Sequence, residues 1–347
     1  MHTFDYRFLK EVAMDPAILN RISNIERARG SSPGMSKGSE EVASAMESRA
    51  MVMSVMDSNA IEGIRTSEER IVGIVSGGTA PMGHDELEIA GYRDALRFIH
   101  RNHGSMVLDM GTILELYGML MAHTGIEDPG FKRRDNIIVS RGPDGTMTGV
   151  SRTVPASETE ESMASMLAAY WEVRDDPDVH SLLLIPCFIM DFLRIHPFPD
   201  GNGRMSRLLS TLLLYQEGYD VCRYVSMESK INAGKADYYR ALEESQVGWF
   251  EGDCDYTPFI RYILGQLLMC YRDLNRIMGM ELGRRRKSGS LEMFLRICGI
   301  PVSKRDLCTM FPELSEVTVS RTLARLCGEG VLEKVGGSRS TRYAPRR

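Results

Sequence analysis

HPFPDGNGRMSR, residues 196–207, joins two apolar segments of the chain and decides how both are placed. Pro197 and Pro199 lack backbone N–H groups, so the first half of this stretch cannot be a regular helix. The apolar pattern before it predicts a buried helix over 181–195 that ends at His196. The sequence therefore predicts a helix, a tight turn and a second helix around one short polar stretch.

The second helix begins with three small or polar residues, Gly201, Asn202 and Gly203. Small residues at a helix start let backbone N–H groups approach a ligand, and the helix dipole favours negative charge there. Arg204 and Arg207 are three positions apart, so they lie on one face and can bind further phosphate oxygens. This half of the stretch predicts a site for a phosphate-bearing ligand.

Two further residues supply groups that phosphoryl transfer uses. Asp200 precedes the anion site, and a carboxylate beside phosphate oxygens is a typical Mg²⁺ ligand. His196 can be the general base that takes a proton from an attacking hydroxyl. A zinc site built from these two side chains is disfavoured, because the prolines break the helix that would align them. The set predicts transfer from a nucleoside triphosphate such as ATP.

The stretch resembles the HxFx[D/E]GNGRxxR motif of the Fic (filamentation induced by cAMP) family, with every defining position filled. EIAGYRDAL, GFKRRDNIIVS, TVPASETEESM, YYRALEESQ and DYTPFIRYIL also resemble Fic segments, so the resemblance covers residues 1–282. It implies a mainly α-helical bundle that transfers AMP from ATP to a Ser, Thr or Tyr hydroxyl of a protein. It further implies that His196 deprotonates this hydroxyl and that Asp200 binds Mg²⁺. By the same resemblance, the phosphates are held by Gly201, Asn202, Gly203, Arg204 and Arg207.

NIIVSRGPDGTMTGVSRTVP, residues 136–155, alternates in polarity around a central Pro-Asp-Gly and predicts a β-hairpin. The resemblance identifies this hairpin as the flap of Fic proteins, with Ile137, Ile138 and Val139 in its first strand. A segment of the target protein can add to the hairpin edge as an extra strand and bring its hydroxyl near His196. The alternative is a plain surface hairpin.

SNAIEG, residues 58–63, ends a predicted methionine-rich helix. Gly63 suits a left-handed C-cap, whereas Glu62 faces the negative end of the helix dipole. The stretch resembles the inhibitory [S/T]xxxE[G/N] motif of Fic proteins, with Ser58 and Glu62 at its defining positions. The resemblance implies that Glu62 pairs with Arg207 and blocks productive placement of the γ-phosphate. An ordinary glycine-capped helix end is the alternative.

A charged, Gly/Ser-rich linker at 283–290 precedes a C-terminal segment, 291–347. Its pattern of three helices and two short strands predicts a small winged helix-turn-helix (α+β) domain, a known appendage in the Fic family. Its third helix would be the recognition helix, and dimerisation or protein docking is the alternative to DNA binding. The candidates to face DNA are Thr318, Ser320, Arg321 and Arg325.

The charge distribution separates this segment from the rest of the chain. From Arg284 to the end there are 14 Lys and Arg against 6 Asp and Glu, whereas the remainder holds 28 against 41. The net charge of −5 therefore combines a body of −13 with a tail of +8. A basic tail favours nucleic acid as its partner.

Composition and cysteine usage set the remaining expectations. The 7 cysteines are scattered with no C-x-x-C pair, which argues against a zinc site and a disulfide framework and favours a cytoplasmic protein. The most apolar run, 181–195, is too short and too interrupted to span a membrane. We expect four parts: an N-terminal helical region, a Fic core, a linker and a winged domain, at 1–100, 101–282, 283–290 and 291–347.

The function that follows is a Mg²⁺-dependent protein adenylyltransferase that Glu62 inhibits and that also modifies itself. Tyr238 or Tyr239 is the expected aromatic neighbour of the adenine. The expected partners are a target protein with a hydroxyl side chain, DNA at the C-terminal domain, and a second copy of the chain. Two alternatives remain: removal of AMP from a modified protein by the same site, and a DNA-binding transcription regulator that senses a nucleotide.

Overall fold

The computed structural model describes residues 2–10, 15–31, 40–141, 147–283, 289–337 and 341–346. Within these ranges the chain is mainly helical, as predicted. The helices are α1 Pro16–Gly30, α2 Glu40–Ile61, α3 Glu68–Ser76, α4 Gly83–Asn102, α5 Met110–Met121, α6 Thr159–Arg174, α7 Ser181–Ile195, α8 Asn202–Gln216, α9 Met227–Ala233, α10 Lys235–Gln246, α11 Thr257–Gly283, α12 Ser290–Ile297, α13 Lys304–Met310 and α14 Glu316–Gly328. The strands are β1 Ile137–Arg141, β2 Met147–Arg152, β3 Val302–Ser303, β4 Leu332–Val335 and β5 Arg342–Pro345.

All 7 cysteines are free thiols. Within the described ranges, none of the helices combines the length and the apolar character that a membrane crossing needs. Between α9 and α10 lies Gly234, which directly precedes the second of these helices.

The chain forms two compact units, each of which is discontinuous in sequence. The first consists of Met1–Ser23, Asp94–Tyr219 and Gly234–Gly265, and the second of Asn24–Arg93, Asp220–Ala233 and Gln266–Arg347. These units are a different division from the four parts predicted above, which stay a prediction.

α7 is the central helix of the first unit, and every residue from Leu182 to Ile195 is buried. A helix that is apolar all round needs neighbours on all sides, and α7 packs against α6, α8 and α10. β1 and β2 pair antiparallel, with Ile137 opposite Arg152 and Val139 opposite Val150. This pairing confirms the predicted hairpin, whose Pro-Asp-Gly centre lies outside the described residues.

In the second unit, α2 packs against α3, α9 and α12. Its contact with α9 is partly polar, because Ser54 donates a hydrogen bond of 2.7 Å to Glu228 and Asn232 donates one of 2.8 Å to Asp57. The Glu228 carboxylate is buried and also accepts from Tyr92 at 3.1 Å. Paired polar groups of this kind fix the rotation of α2 about its axis, because each buried acceptor would lose its donors if the helix turned.

The C-terminal module contains α12, α13, α14 and a three-stranded antiparallel sheet in the order β3-β5-β4. Ser303 begins α13 with a capping box, and Ser315 caps α14. The module packs on other elements of its unit: α12 on α2, and α13 on α3. Arg342 in β5 also lies 2.5 Å from the Glu69 carboxylate of α3.

Candidate active site

His196 lies at the C-terminal end of α7 in a left-handed backbone conformation, with φ 54° and ψ 58°. Among the described residues it is the non-glycine residue with a positive φ. This conformation costs a residue with a Cβ about 1–2 kcal/mol. The His196 N–H donates to the carbonyl of Phe192 at 3.0 Å, which closes the last turn of the helix.

The His196 ring is partly buried, and its Nδ1 lies 3.2 Å from the carbonyl oxygen of Leu193. A carbonyl can only accept, so this contact places a proton on Nδ1. The lone pair of the neutral ring is then on Nε2. That is the tautomer a general base requires if the reacting hydroxyl approaches Nε2.

The backbone on both sides of His196 is held by two residues of the segment before the hairpin. Lys132 and Asn136 donate to the four successive carbonyls of residues 195–198, which explains how a strained residue is kept in place. The bonds are Lys132 Nζ to Ile195 O at 3.0 Å, Asn136 Nδ2 to His196 O at 3.5 Å, Lys132 N to Pro197 O at 2.8 Å, and Asn136 Nδ2 to Phe198 O at 3.0 Å.

The turn after His196 is closed by Asn202 and anchored by Phe198. Asn202 accepts from the Phe198 N–H at 2.9 Å and donates back to the Phe198 carbonyl at 2.8 Å. The Phe198 ring is fully buried and stacks on Tyr117, with ring centroids 3.7 Å apart. The sequence analysis counts Asn202 among the phosphate ligands. In the structure, its side-chain amide forms the hydrogen bonds that shape the turn.

Gly201 precedes α8 with a φ of 78°, a conformation that favours glycine. A Cβ at this position would lie 2.6 Å from Met121 Cε, which is the flexible end of a side chain and can shift, so the positive φ is the stronger reason for glycine. Glycine also has no side chain to cap α8. The first N–H groups of α8 are therefore not capped by the residue before the helix, as an anion site at a helix start requires.

The two motif arginines lie in the first two turns of α8 and are buried, with 1% of Arg204 and 3% of Arg207 exposed. The Asp200 carboxylate is largely exposed, and its Oδ2 lies 3.5 Å from Arg204 Nη2. No cluster of three metal-ligating side chains occurs among the described residues. One carboxylate fits Mg²⁺, because that ion commonly takes its other ligands from phosphates and water.

The hairpin and adenine candidates differ in exposure. Ile137 is 58% exposed and Ile138 is partly buried, and the side chain of Val139 is outside the described residues. Tyr238 is buried, with its ring 5.7 Å from that of Tyr262. Tyr239 on the same helix is 38% exposed, so it has the more accessible ring face of the two.

The inhibitory candidates lie in the second unit, at the end of α2. Ser58 is fully buried, whereas Glu62 is exposed and lies just after the last helical residue, Ile61. Gly63 has a φ of 87°, and the Ile64 N–H donates to the Asn59 carbonyl at 3.0 Å. This confirms the predicted glycine cap. Glu62 lies in the loop that follows α2 and is not part of the helix itself.

The four DNA candidates on α14 have different environments. Arg321 is exposed. Thr318 donates its N–H to the capping Ser315 at 3.2 Å, and Ser320 donates to a carbonyl one turn earlier in α14 at 2.8 Å. Arg325 forms ion pairs with Glu292 and with Glu329, so its guanidinium already has partners inside the module.

Sequence reasoning missed Lys132, Asn136 and Thr153, whose side chains meet beside the carbonyl of Ile195. GFKRRDN contains three consecutive basic residues, and only the fold shows that Lys132 is the buried one while Arg133 is exposed. A basic residue shortly before a predicted hairpin is a weak signal, because most such residues are solvated.

Comparison with known proteins agrees with this geometry. A model of the Fic/DOC family matches residues 107–214. Among curated proteins, the chain is 26% identical over 217 residues to "Protein adenylyltransferase Fic" of Nematostella vectensis, covering 60% of this chain and 45% of that protein. It is 24% identical over 216 residues to "Protein adenylyltransferase fic-1" of Caenorhabditis elegans, covering 59% of this chain and 37% of that protein. The chain thus spans less than half of the length of either relative.

Solved structures share the fold. A Fic family protein from Desulfovibrio desulfuricans G20 aligns with a TM-score of 0.62 and 23% identity over 96% of this chain and 97% of that one. Fic-1 of C. elegans, residues 134–508, aligns with a TM-score of 0.56 and 20% identity over 76% of this chain and 73% of that one. The matched region contains the His196 turn, α7 and nearly all of α8. Residues 107–214 therefore match the model of the Fic/DOC family, and the chain shares the fold of solved Fic structures.

Proposed function

We propose that the protein transfers AMP from ATP to a Ser, Thr or Tyr hydroxyl of a target protein. The observation that carries this proposal is the turn between α7 and α8, where a histidine with a fixed ring directly precedes a glycine-initiated helix start. Such a turn places a base and an anion site a few residues apart. Two curated relatives bear the name of this activity, which supports the same conclusion.

In the proposed reaction, the hydroxyl oxygen of the target attacks the α-phosphorus of ATP. His196 Nε2 takes the hydroxyl proton, a new P–O bond forms, and the bond from the α-phosphorus to the bridging oxygen breaks. Pyrophosphate leaves with that oxygen. Because the Leu193 carbonyl holds Nδ1, the ring presents Nε2 without first rotating or changing its tautomer.

The start of α8 receives the triphosphate in this proposal. The backbone N–H groups of Gly203 and its neighbours bind phosphate oxygens, and Arg204 and Arg207 bind the outer phosphates with charge-assisted hydrogen bonds. Asp200 would hold Mg²⁺, which when bound neutralises phosphate charge. On the adenine side we favour Tyr239, because its ring is the more exposed of the tyrosine pair.

The hairpin is the proposed docking strand for the target. β1 begins two residues after Asp135. The residue between them, Asn136, donates hydrogen bonds to the carbonyls of His196 and Phe198. A target segment that pairs with the hairpin edge is therefore connected to the base through one residue. Ile137, exposed on β1, is a candidate to contact that segment.

Glu62 is the proposed brake on the reaction, acting on Arg207 and so on the γ-phosphate. Its support is the match of residues 58–63 to the inhibitory motif, together with the exposed position of the carboxylate after α2. Low basal activity follows from this brake, and self-modification is a separate part of the proposal. Removal of AMP by the same site is the competing function, in which Glu62 would act on a water molecule instead.

We also propose that the C-terminal module is a winged helix domain, from its three helices and its three-stranded sheet. Its described residues, 289–337 and 341–346, hold 8 Lys and Arg against 6 Asp and Glu, so most of the tail's excess positive charge lies elsewhere. Arg321 is the best DNA candidate, since Arg325 is already paired. A gel-shift titration with DNA at several salt concentrations tests this role. DNA binding that weakens only slightly with salt would favour a protein partner for the module instead.

The deciding experiment is incubation of the pure protein with ATP labelled on the α-phosphate and Mg²⁺, followed by mass spectrometry of the protein and of added lysate proteins. We expect the mass of one AMP on a Ser, Thr or Tyr side chain. Label that appears equally with His196→Ala contradicts the proposal, as does transfer of label from a second sample of ATP that is labelled on the γ-phosphate. Release of AMP from a pre-modified target would instead favour removal. The proposal also places the enzyme in the cytoplasm. It further includes a homodimer, which analytical ultracentrifugation of the pure protein tests.

A further inference from the structure

Lys132 connects three parts of the first unit. Its ammonium donates to the Ile195 carbonyl at 3.0 Å, to Asn136 Oδ1 at 2.9 Å and to Thr153 Oγ1 at 2.9 Å. Asn136 directly precedes β1, and Thr153 directly follows β2. The side chain is 3% exposed. One buried cation thus joins the base of the hairpin to the residue before His196.

The electrostatics of this contact favour its position at the end of α7. The three hydrogens of an ammonium group meet three oxygen acceptors, so a buried charge is fully hydrogen-bonded. The Ile195 carbonyl is at the negative end of the α7 dipole, where a cation is stabilising. Burial lowers the pKa of Lys132 to about 8, which is the cost that these contacts offset.

We propose that Lys132 is a positioning residue that fixes His196 relative to the hairpin, and this inference rests on the proposed AMP transfer. Its backbone N–H holds the Pro197 carbonyl at 2.8 Å while its side chain holds the Ile195 carbonyl, so it contacts the chain on both sides of the base. A target strand that docks on the hairpin is thereby set at a constant distance from Nε2. Lys132 does not contact the reacting atoms itself.

The test compares Lys132→Met with Lys132→Arg and with Arg133→Met in the full chain. Arg133 is the adjacent, exposed cation, so Arg133→Met makes the same charge change without touching the His196 turn. We measure turnover and KM for ATP, and also hydrogen exchange of peptides spanning 193–203. The exchange measurement needs no AMP transfer, so it judges Lys132 even if the wild-type protein proves inactive.

We expect Lys132→Met to lower turnover by about 10²-fold, because small misplacement of reacting groups costs this much. KM for ATP should stay close to wild type, exchange should rise locally around 195–198, and Lys132→Arg should recover most of the loss. Arg133→Met should match wild type. Wild-type turnover and exchange in a folded Lys132→Met protein would overturn the proposal, as would an equal loss in both Lys132 variants with an unchanged 193–203 peptide.

If Lys132→Met does not fold, Thr153→Val removes one acceptor and leaves the Ile195 contact in place. We then expect a smaller loss of turnover, about several-fold, at constant KM for ATP. Turnover and local exchange equal to wild type in both Thr153→Val and Asn136→Ala would contradict the positioning role.

Discussion

Among the helices of this protein that end in a left-handed residue, α7 and α2 do so with different side chains. α2 ends at Gly63, with a φ of 87°, and α7 ends at His196, with a φ of 54°. Glycine adopts this conformation at no steric cost, whereas histidine does so at about 1–2 kcal/mol. The proposed role of His196 as a base would account for this difference, because a strained residue persists only where the surrounding structure holds it in place.

The surroundings of the two helix ends match this difference. Around His196, the four carbonyls of residues 195–198 all accept hydrogen bonds from Lys132 or Asn136. At the α2 end, a glycine cap closes the helix, and in this cap the Ile64 N–H donates to the Asn59 carbonyl. His196 is thus held in a strained conformation by the hydrogen bonds around it, whereas Gly63 adopts its left-handed conformation without strain.

The largest expected effect tests the α7 end as the seat of the chemistry. His196→Ala and His196→Gly should both lower AMP transfer by about 10²–10⁴-fold, since each removes the proposed general base. ATP binding, measured by isothermal titration calorimetry, should persist, because the proposed phosphate site lies in the following turn and α8. Transfer at the wild-type rate in either variant would show that His196 is not the base.

The second prediction tests the α2 end as a brake. Glu62→Gly should raise self-modification tenfold or more, about 1.4 kcal/mol, because Arg207 becomes available to the γ-phosphate. Arg207→Ala in the same chain should erase the gain. Glu68→Gln is the matched control, since it removes an exposed carboxylate nearby in α3.

Rates of label incorporation from ATP labelled on the α-phosphate decide this prediction. Equal or lower incorporation in a folded Glu62→Gly protein, where wild type is nearly silent, would contradict the brake. It would then favour Glu62 as a working residue in AMP removal.

The third prediction compares the backbones of the two ends directly. His196→Gly should be more stable than His196→Ala by about 1 kcal/mol, because both lack the imidazole and only glycine relieves the strain. Gly63→Ala should destabilise the protein by about the same amount. Gly279→Ala is the control: Gly279 is in α11 with open space around it, and alanine there should stabilise by about 0.5–1 kcal/mol.

Urea unfolding at constant m-value gives these differences in the free energy of unfolding. If His196→Ala and His196→Gly are equally stable, the left-handed residue at 196 carries no strain. The contrast between the two helix ends would then lie in their side chains alone.

The sequence predicted both helix ends because each is marked by local chemistry. Prolines and glycines fix where α7 ends and α8 begins, and Gly63 marks the end of α2. The sequence did not predict Lys132 as a buried neighbour of His196, since burial of one residue in a basic run is decided by tertiary packing. Likewise, an apolar face on α12 shows that this helix needs a partner, but only the fold identifies that partner as α2.

The last prediction concerns Asp191, a buried residue of α7 that lies one turn before the end of the helix. This carboxylate is fully buried and accepts hydrogen bonds from Tyr6 at 2.7 Å, Trp249 at 2.7 Å and Tyr256 at 2.9 Å. Burial raises the pKa of Asp191 to about 6, and the three donors lower it only in part.

A carboxyl whose pKa is higher in the folded state than in the unfolded state binds more protons when folded between about pH 4 and pH 6. Its contribution to stability is therefore complete below about pH 4 and is lost as the pH rises through 6. We expect the free energy of unfolding of wild type, relative to Asp191→Asn, to increase by about 1 kcal/mol when the pH falls from 7 to 5. Urea unfolding of both proteins at each pH measures this difference. A constant difference over that interval would mean that Asp191 keeps its ordinary pKa, and that the ionised carboxylate is as well solvated by its three donors as by water.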